Sequence, residues 1–306
     1  MVTPRFTHYR KLLILSVFLF GSLYTFGQDV HFSQFRNAPI TLNPALTGVF
    51  NGKYRVMANY RAQWNNVPVG WSTFNGVFDT QLLKAENGKG FFGLGGVLNF
   101  DEAGDSKMGT FNLALNGSYT YKLTPSHWLT AGLNLGGAQR SYETEDLRFD
   151  EQYNGDSFDP LLASGEAFSD RSVMWADFGL GLNYHFQKEA SRSSLDVGLA
   201  GHHLNEPMKS FWEVDDVILK KRITWYASSE LQVASKFDVI AGVTASYQDP
   251  YTEHILGLGG RIHLSKQATK ELAIALGCNY RFNGEGLDVG DAVFPFMEVD
   301  FQNWRV

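Results

Sequence analysis

Six arginines and five carboxylates stand at alternate positions of segments in which polar and apolar residues alternate. They are Arg55, Arg61, Arg140, Arg222, Arg261 and Arg281, against Asp79, Asp177, Asp196, Glu230 and Asp238. Charges of both signs on the inner face of a closed wall must pair or stay hydrated, because an isolated ion in a low-dielectric interior is costly. Two arrangements satisfy that rule: a lumen cross-linked by ion pairs and filled, or a wet channel of mixed charge. The near balance of signs favours the filled lumen. A second concentration is acidic. Residues 141–172 carry nine carboxylates (Glu143, Glu145, Asp146, Asp150, Glu151, Asp156, Asp159, Glu166 and Asp170) against Arg148 and Arg171. Oxygen ligands at this density suit Ca²⁺, but the spacing matches no EF-hand loop. A solvated external loop is the simpler reading, and a partner-docking surface is the next.

Catalytic constellations are poor. His202 and His203 are adjacent, so on a strand they point to opposite faces and cannot share a metal. No G-x-S-x-G nucleophile elbow occurs. Cys278 is the one cysteine, which excludes a disulfide framework and a cysteine-based metal cluster. It falls on the apolar register of its segment and reads as a small apolar residue. No cofactor or metal is expected, and the chain does not read as an enzyme.

The elements that must position these charges have period two. In 53–64, Tyr54, Val56, Ala58, Tyr60, Ala62 and Trp64 share one face, opposite Lys53, Arg55, Asn59, Arg61 and Gln63. A helix does not hold that alternation. The pattern recurs over 71–81, 91–100, 109–123, 128–140, 174–186, 194–204, 222–233, 237–247, 254–264, 271–282 and 291–301, giving twelve strands with the first. Many run well past the roughly five or six residues usual in soluble domains and reach the roughly 9–11 that a tilted membrane-spanning strand needs. Glycines such as Gly132 and Gly181 fall on the polar register, which suggests crowding inside the wall. Trp64, Trp71, Tyr119, Tyr121, Trp128, Tyr184, Tyr247 and Tyr280 collect near strand ends, as two aromatic girdles would. The two longest connections, 141–172 and 205–221, fall at the same end, the usual asymmetry of long external loops against short periplasmic turns. The fold expected is an all-β transmembrane antiparallel β-barrel. After residue 301 the chain reads like a turn into another strand, so the expectation is a C-terminally incomplete chain, with 14 strands when complete.

Residues 1–27 read as a signal peptide: Arg5, Arg10 and Lys11 precede the apolar run 12–20, and Gly27 ends the stretch. Removing them takes away three positive charges and no negative one, so the formal charge goes from −6 to −9. An acidic mature chain argues against nucleic acid as a partner. No later segment approaches 18 consecutive apolar residues, so helical spans are not expected. Segment 28–52 reads as a periplasmic N-terminal stretch and a candidate lumen plug, with Arg61 and Gln63 among its contacts. Residues 53–306 form the barrel.

The mature N-terminus resembles the PorP/SprF family. Phe32, Ser33 and Gln34, then Asn43 and Pro44, then Arg61, Gln63 and Trp64 form an "FSQ … NPA … NYRxQW" opening similar to that family's. Tyr153, Asp159, Pro160 and Glu166 in the long acidic loop, and Asn205, Pro207 and Phe211 in the next, also look typical; they are candidate external partner contacts. The resemblance implies a non-enzymatic outer-membrane component of the type IX secretion system of Bacteroidota. Such a component supports secretion or surface anchoring of large adhesins with C-terminal sorting domains, and is often linked to gliding motility. Implied partners are the secreted adhesin or its sorting domain, periplasmic and lipoprotein components of the machinery, and outer-membrane lipid. An outer-membrane porin or hydrophobic-solute transporter is the alternative reading.

Overall fold

Alternation fixes which side chains can share a surface, because successive residues of a strand point to opposite faces. The computed structural model describes residues 32–64, 66, 70–84, 89–168, 170–212, 217–265, 271–283 and 290–306, with backbone alone at 84 and 291. The signal peptide expected at 1–27, and residues 28–31, lie outside the described residues. Each of the twelve expected segments is a strand: β1 (Tyr54–Gln63), β2 (Trp71–Lys84), β3 (Gly90–Ala103), β4 (Met108–Thr124), β5 (His127–Ser141), β6 (Ser172–Gln187), β7 (Ser194–His202), β8 (Arg222–Ala234), β9 (Phe237–Gln248), β10 (Tyr251–Ser265), β11 (Leu272–Asn283) and β12 (Gly290–Phe301). The turn read after residue 301 leads into a two-residue strand, β13 (Trp304–Arg305).

One sheet holds all thirteen strands in chain order, each antiparallel to its neighbours. Among the described residues β1 pairs with β2 and no other strand, and the far edge of β12 carries β13. Apart from β13 the strands run from nine residues in β7 to 17 in β4. Odd-to-even turns, such as the one after β1, lie at the end that also holds the long connections 142–171 and 203–221, here called the loop end. The opposite, turn end holds short connections such as 125–126 and 235–236.

The two faces are inverted relative to a soluble domain. Tyr54, Val56 and Tyr60 on β1 are 60–76% exposed, whereas Thr73, Asn75 and Asp79 on the inner register of β2 are fully buried. Lipid-facing apolar side chains and a polar interior identify a transmembrane β-barrel. Among the described residues no helix is long and apolar enough to cross a membrane. Tyr119 with Phe92 marks the turn-end rim, and Tyr247, His254, Phe282 and Tyr280 the loop-end rim. Trp71 and Trp128, expected in the girdles, sit instead on the inner register. Trp71 Nε1 donates to Asp101 at 2.7 Å, and the Trp128 ring lies 5.1 Å from His185. Both belong to the rims of the lumen, because their pairing positions share its face.

An arginine on the lipid face near mid-wall costs about 2–4 kcal/mol, falling towards zero at the interfaces. Leu180→Arg is therefore expected to destabilise the barrel by about that amount, while Leu161→Arg in the long loop leaves stability unchanged. Urea unfolding from lipid vesicles measures both.

Candidate functional site

The lumen is occupied by the chain's own N-terminal segment. A single-turn 3₁₀ helix (Phe35–Asn37), one turn of α-helix (Pro39–Leu42) and a second 3₁₀ turn (Pro44–Leu46) fold it compactly. Proline at the first position of two of these turns costs nothing, because the N–H it lacks would have no intrahelical partner there. The segment meets the inner faces of β1 through β9. Asn59 Nδ2 donates to Asn37 O at 2.9 Å, and Ile40 packs with Val77 and Val97. Gly48 N donates to Asp79 Oδ2 at 2.7 Å, and Ser118 Oγ to Thr47 O at 2.6 Å. A Cβ at Gly242 would stand 2.8 Å from the Phe35 ring.

Asn43 is the centre of this seat. Its Oδ1 accepts from Ala45 N at 2.8 Å, and its Nδ2 donates to Leu182 O at 2.9 Å. Nδ2 also lies 3.4 Å from the Tyr226 hydroxyl, which donates to Asn183 Oδ1 at 2.7 Å. Asn183 Nδ2 continues to Asp196 Oδ1 at 3.0 Å, where His185 Nδ1 meets the same oxygen at 2.9 Å. A polar chain thus runs from the segment into the wall. Pro44 and Ala45 lie so close to β5 and β6 that a Cβ at Gly132 would collide with Ala45 N, and one at Gly181 with Asn43 Oδ1. Gly132 is required by the approach of the Pro44–Ala45 backbone, and Gly181 by the Asn43 side chain.

The eleven lumen charges do not form one network. Arg55 and Asp79 pair at 2.7–2.8 Å, with Arg55 also donating to Leu46 O at 3.0 Å. Arg261 binds Glu230, and it also reaches Glu298 and Asp300 at 3.0 Å each. The others take partners outside the expected set. Asp238 accepts from Arg192 at 2.6–2.7 Å and contacts His263 Nε2 at 2.6 Å; Asp177 meets His203 at 2.9 Å. Arg281 lies 3.6 Å from Glu253, Arg61 donates to Thr73 Oγ1 at 3.2 Å, Arg140 reaches Met108 Sδ at 3.0 Å, and Arg222 reaches Thr41 O at 3.5 Å. Hydrogen bonds to Asp238 raise the pKa of Arg192, which lies in the turn before β7. Glu298 and Asp300 follow the same alternation as the expected charges and were open to discovery by it. Arg192 in a turn and Arg36, 3.8 Å from Glu230, carry no periodic signal. Ligand atoms of Glu230, Asp238 and His263 lie within 4.8 Å of one another. A metal ion there would have to displace Arg192 from Asp238 and Arg261 from Glu230.

His202 and His203 depart from the expectation of opposite faces. Both are buried, because His203 leaves the strand with φ +56° and turns back to Asp177. In the opening motif, Phe32 lies under the Arg61 guanidinium at 6.0 Å, and Gln34 Oε1 accepts from Asn37 at 3.0 Å. Ser33 is half-buried and Pro44 buried, while Gln63 and Trp64 are exposed at the end of β1, with Trp64 edge-on to Trp71.

The long loops pack together at the loop end. Tyr142 meets Phe211 edge-on at 4.9 Å and Phe168 at 6.3 Å, and Phe168 meets Phe149 at 5.6 Å. Lys107, from the turn before β4, pairs with Glu143 at 2.8 Å. Tyr153, Pro160 and Glu166 are exposed, and half-buried Asp159 accepts from Leu161 N at 2.9 Å. A cleft bounded by Arg148, Phe149, Phe158 and Arg171 opens inside the acidic loop. Pro207 is buried, and the exposed Asn205 donates to Ala176 O at 2.7 Å and accepts from Phe178 N at 3.2 Å. That amide extends the β6 ladder past the end of β7 and anchors the loop base.

Deleting the Asn43 amide strands buried polar groups, at about 1–3 kcal/mol. Asn43→Ala and Gly181→Ala are each expected to lower the temperature at which the folded barrel loses its compact electrophoretic form. The double variant should fall by less than the sum, because removing Asn43 Oδ1 removes the collision.

By sequence, no curated protein matches the chain. Among solved structures it is similar to a TodX monoaromatic hydrocarbon channel variant (11% identity, TM-score 0.48, covering 87% of this chain and 85% of that one). It is also similar to the β domain of the Bordetella autotransporter BrkA (14%, TM-score 0.37, 81% and 97%). A third similar structure is a ferric enterobactin receptor PfeA variant of Pseudomonas aeruginosa (11%, TM-score 0.39, 81% of this chain but 41% of the receptor). The model of one family, the type IX secretion system membrane protein PorP/SprF, matches residues 24–306. With its lipid-facing apolar wall and filled polar lumen, the chain belongs to the PorP/SprF family of type IX secretion system membrane proteins and resides in the outer membrane.

Proposed function

We propose that this barrel is a non-enzymatic scaffold of the type IX secretion system that supports secretion or surface anchoring of large adhesins with C-terminal sorting domains. Where such an adhesin drives gliding, motility depends on it. The loop end faces outward and the turn end faces the periplasm, where machinery components bind. The observation that carries this reading is the seat of residues 35–48 against β1 through β9, with Asn43, Ala45 and Thr47 fully buried. A lumen filled this way suits a support for partners at the two ends better than a path for solutes.

Affinity capture from native outer membranes, read by mass spectrometry, is expected to recover a large secreted protein with a sorting domain together with periplasmic machinery. In planar bilayers the purified barrel should give no steady open-channel current. A large steady current, with no such partners captured, would favour a porin or solute transporter instead.

A further inference from the structure

We propose that the internal segment enters the lumen from the loop-end mouth of the barrel, so that its leading end at Phe32 and Ser33 is reached from the side of the two long loops and not from the compartment that the short turns face. This rests on the proposed reading of the loop end as external. The internal segment runs through the lumen in one direction. It leaves the lumen at the turn end: Gln81 Nε2 donates to Gly48 O at 2.9 Å and to Phe50 O at 3.1 Å, and Thr80 Oγ1 to Lys53 O at 2.9 Å. Residues 80 and 81 lie close to the turn-end terminus of β2 (Trp71–Lys84), and β1 starts beside them.

The other end of the segment lies near the opposite mouth. Phe32 sits under Arg61, two residues short of the loop-end terminus of β1 (Tyr54–Gln63). It lines one cavity together with Arg222, the first residue of β8, and with Ser246 and Glu253, which flank the loop-end turn between β9 and β10. Between these ends the segment passes mid-wall positions, with Phe35 on Gly242 and Ala45 on Gly132. The chain therefore crosses the lumen from loop end to turn end before β1 begins.

The level of Arg61 is about 7 Å of strand below the loop-end rim, at roughly 3.4 Å per residue. The turn-end rim lies at the far end of a β1 of ten residues, about 30 Å long. Phe32, under Arg61, is therefore near the loop-end mouth and far from the turn end. The partner-facing end of the barrel thus has three components: the acidic loop, the loop before β8, and the leading end of the internal segment at Phe32 and Ser33.

Single cysteines placed in a Cys278→Ala background and treated on intact cells with a membrane-impermeant maleimide test this. Ser33→Cys probes the leading end of the segment, Gln63→Cys reports the loop end and Lys236→Cys the turn end. Ser33→Cys is expected to label in intact cells with no gain on permeabilisation, while Lys236→Cys labels only afterwards. Labelling of Gln63→Cys in intact cells with Ser33→Cys unlabelled from outside would overturn the proposal. Labelling of Lys236→Cys but not Gln63→Cys in intact cells would show the sidedness itself to be reversed, and the proposal would fall with it.

Discussion

Hydrocarbon offers no hydrogen-bond partner to a peptide group, so a chain that crosses a bilayer with strands must pair its main-chain groups strand to strand. The rest of this structure depends on that constraint. It makes the sheet a meander in which each strand lies beside its neighbour in sequence, because short turns then suffice at every step. It also assigns the two faces. Apolar side chains go to the lipid, as Val56 and Leu180 do, and their alternate neighbours are left facing inward.

An inward face made of the remaining residues is polar, and in a narrow barrel there is little water to satisfy it. Asparagines serve where neighbouring strands bring them level: Asn59 donates to Asn75, and Asn75 to Asn99. The charges are met by side chains within reach across the narrow interior, on the next strand or on one two or more strands away. This is why Asp238 takes Arg192 and His263, and why Arg261 collects three carboxylates. Local pairing suits a low-dielectric site, where the attraction must offset the cost of leaving water and falls away with distance. The N-terminal segment supplies what the wall cannot, with Leu46 O receiving Arg55, Gly48 N donating to Asp79 and Asn43 engaging three neighbouring strands.

A barrel filled in this way has its ends available for work. At the loop end the two long connections are held by Tyr142, Phe168 and Phe211 and anchored by Asn205 on the exposed edge of β6. The acidic side chains of Glu145, Asp150, Glu151 and Glu166 project from that frame. An ordered frame lowers the conformational entropy lost when a partner binds.

The strands, their faces and the loop asymmetry were legible in the chain alone, because alternation is a local property that needs no knowledge of neighbours. Reading 53–64 as Tyr54-out and Arg55-in required twelve consecutive residues and nothing else. The family was legible as well, from the short opening series around Phe32, Asn43 and Arg61. What tertiary structure decided was who meets whom. Asp238 could not be matched with Arg192, nor Glu230 with Arg36, because those arginines lie in a turn and in the leading segment, where no period marks a side chain's direction. His203 defeated simple alternation because it leaves its strand through a left-handed backbone, whereas Trp71 obeys it, on the inner register with Thr73 and Asn75, and it was its place near a strand end that suggested the girdle. The crowding hinted at by Gly132 and Gly181 was visible, but its cause was not. Only the folded chain shows that those glycines make room for Asn43, Pro44 and Ala45, since a contact between residues more than eighty positions apart depends on the curvature of the whole wall.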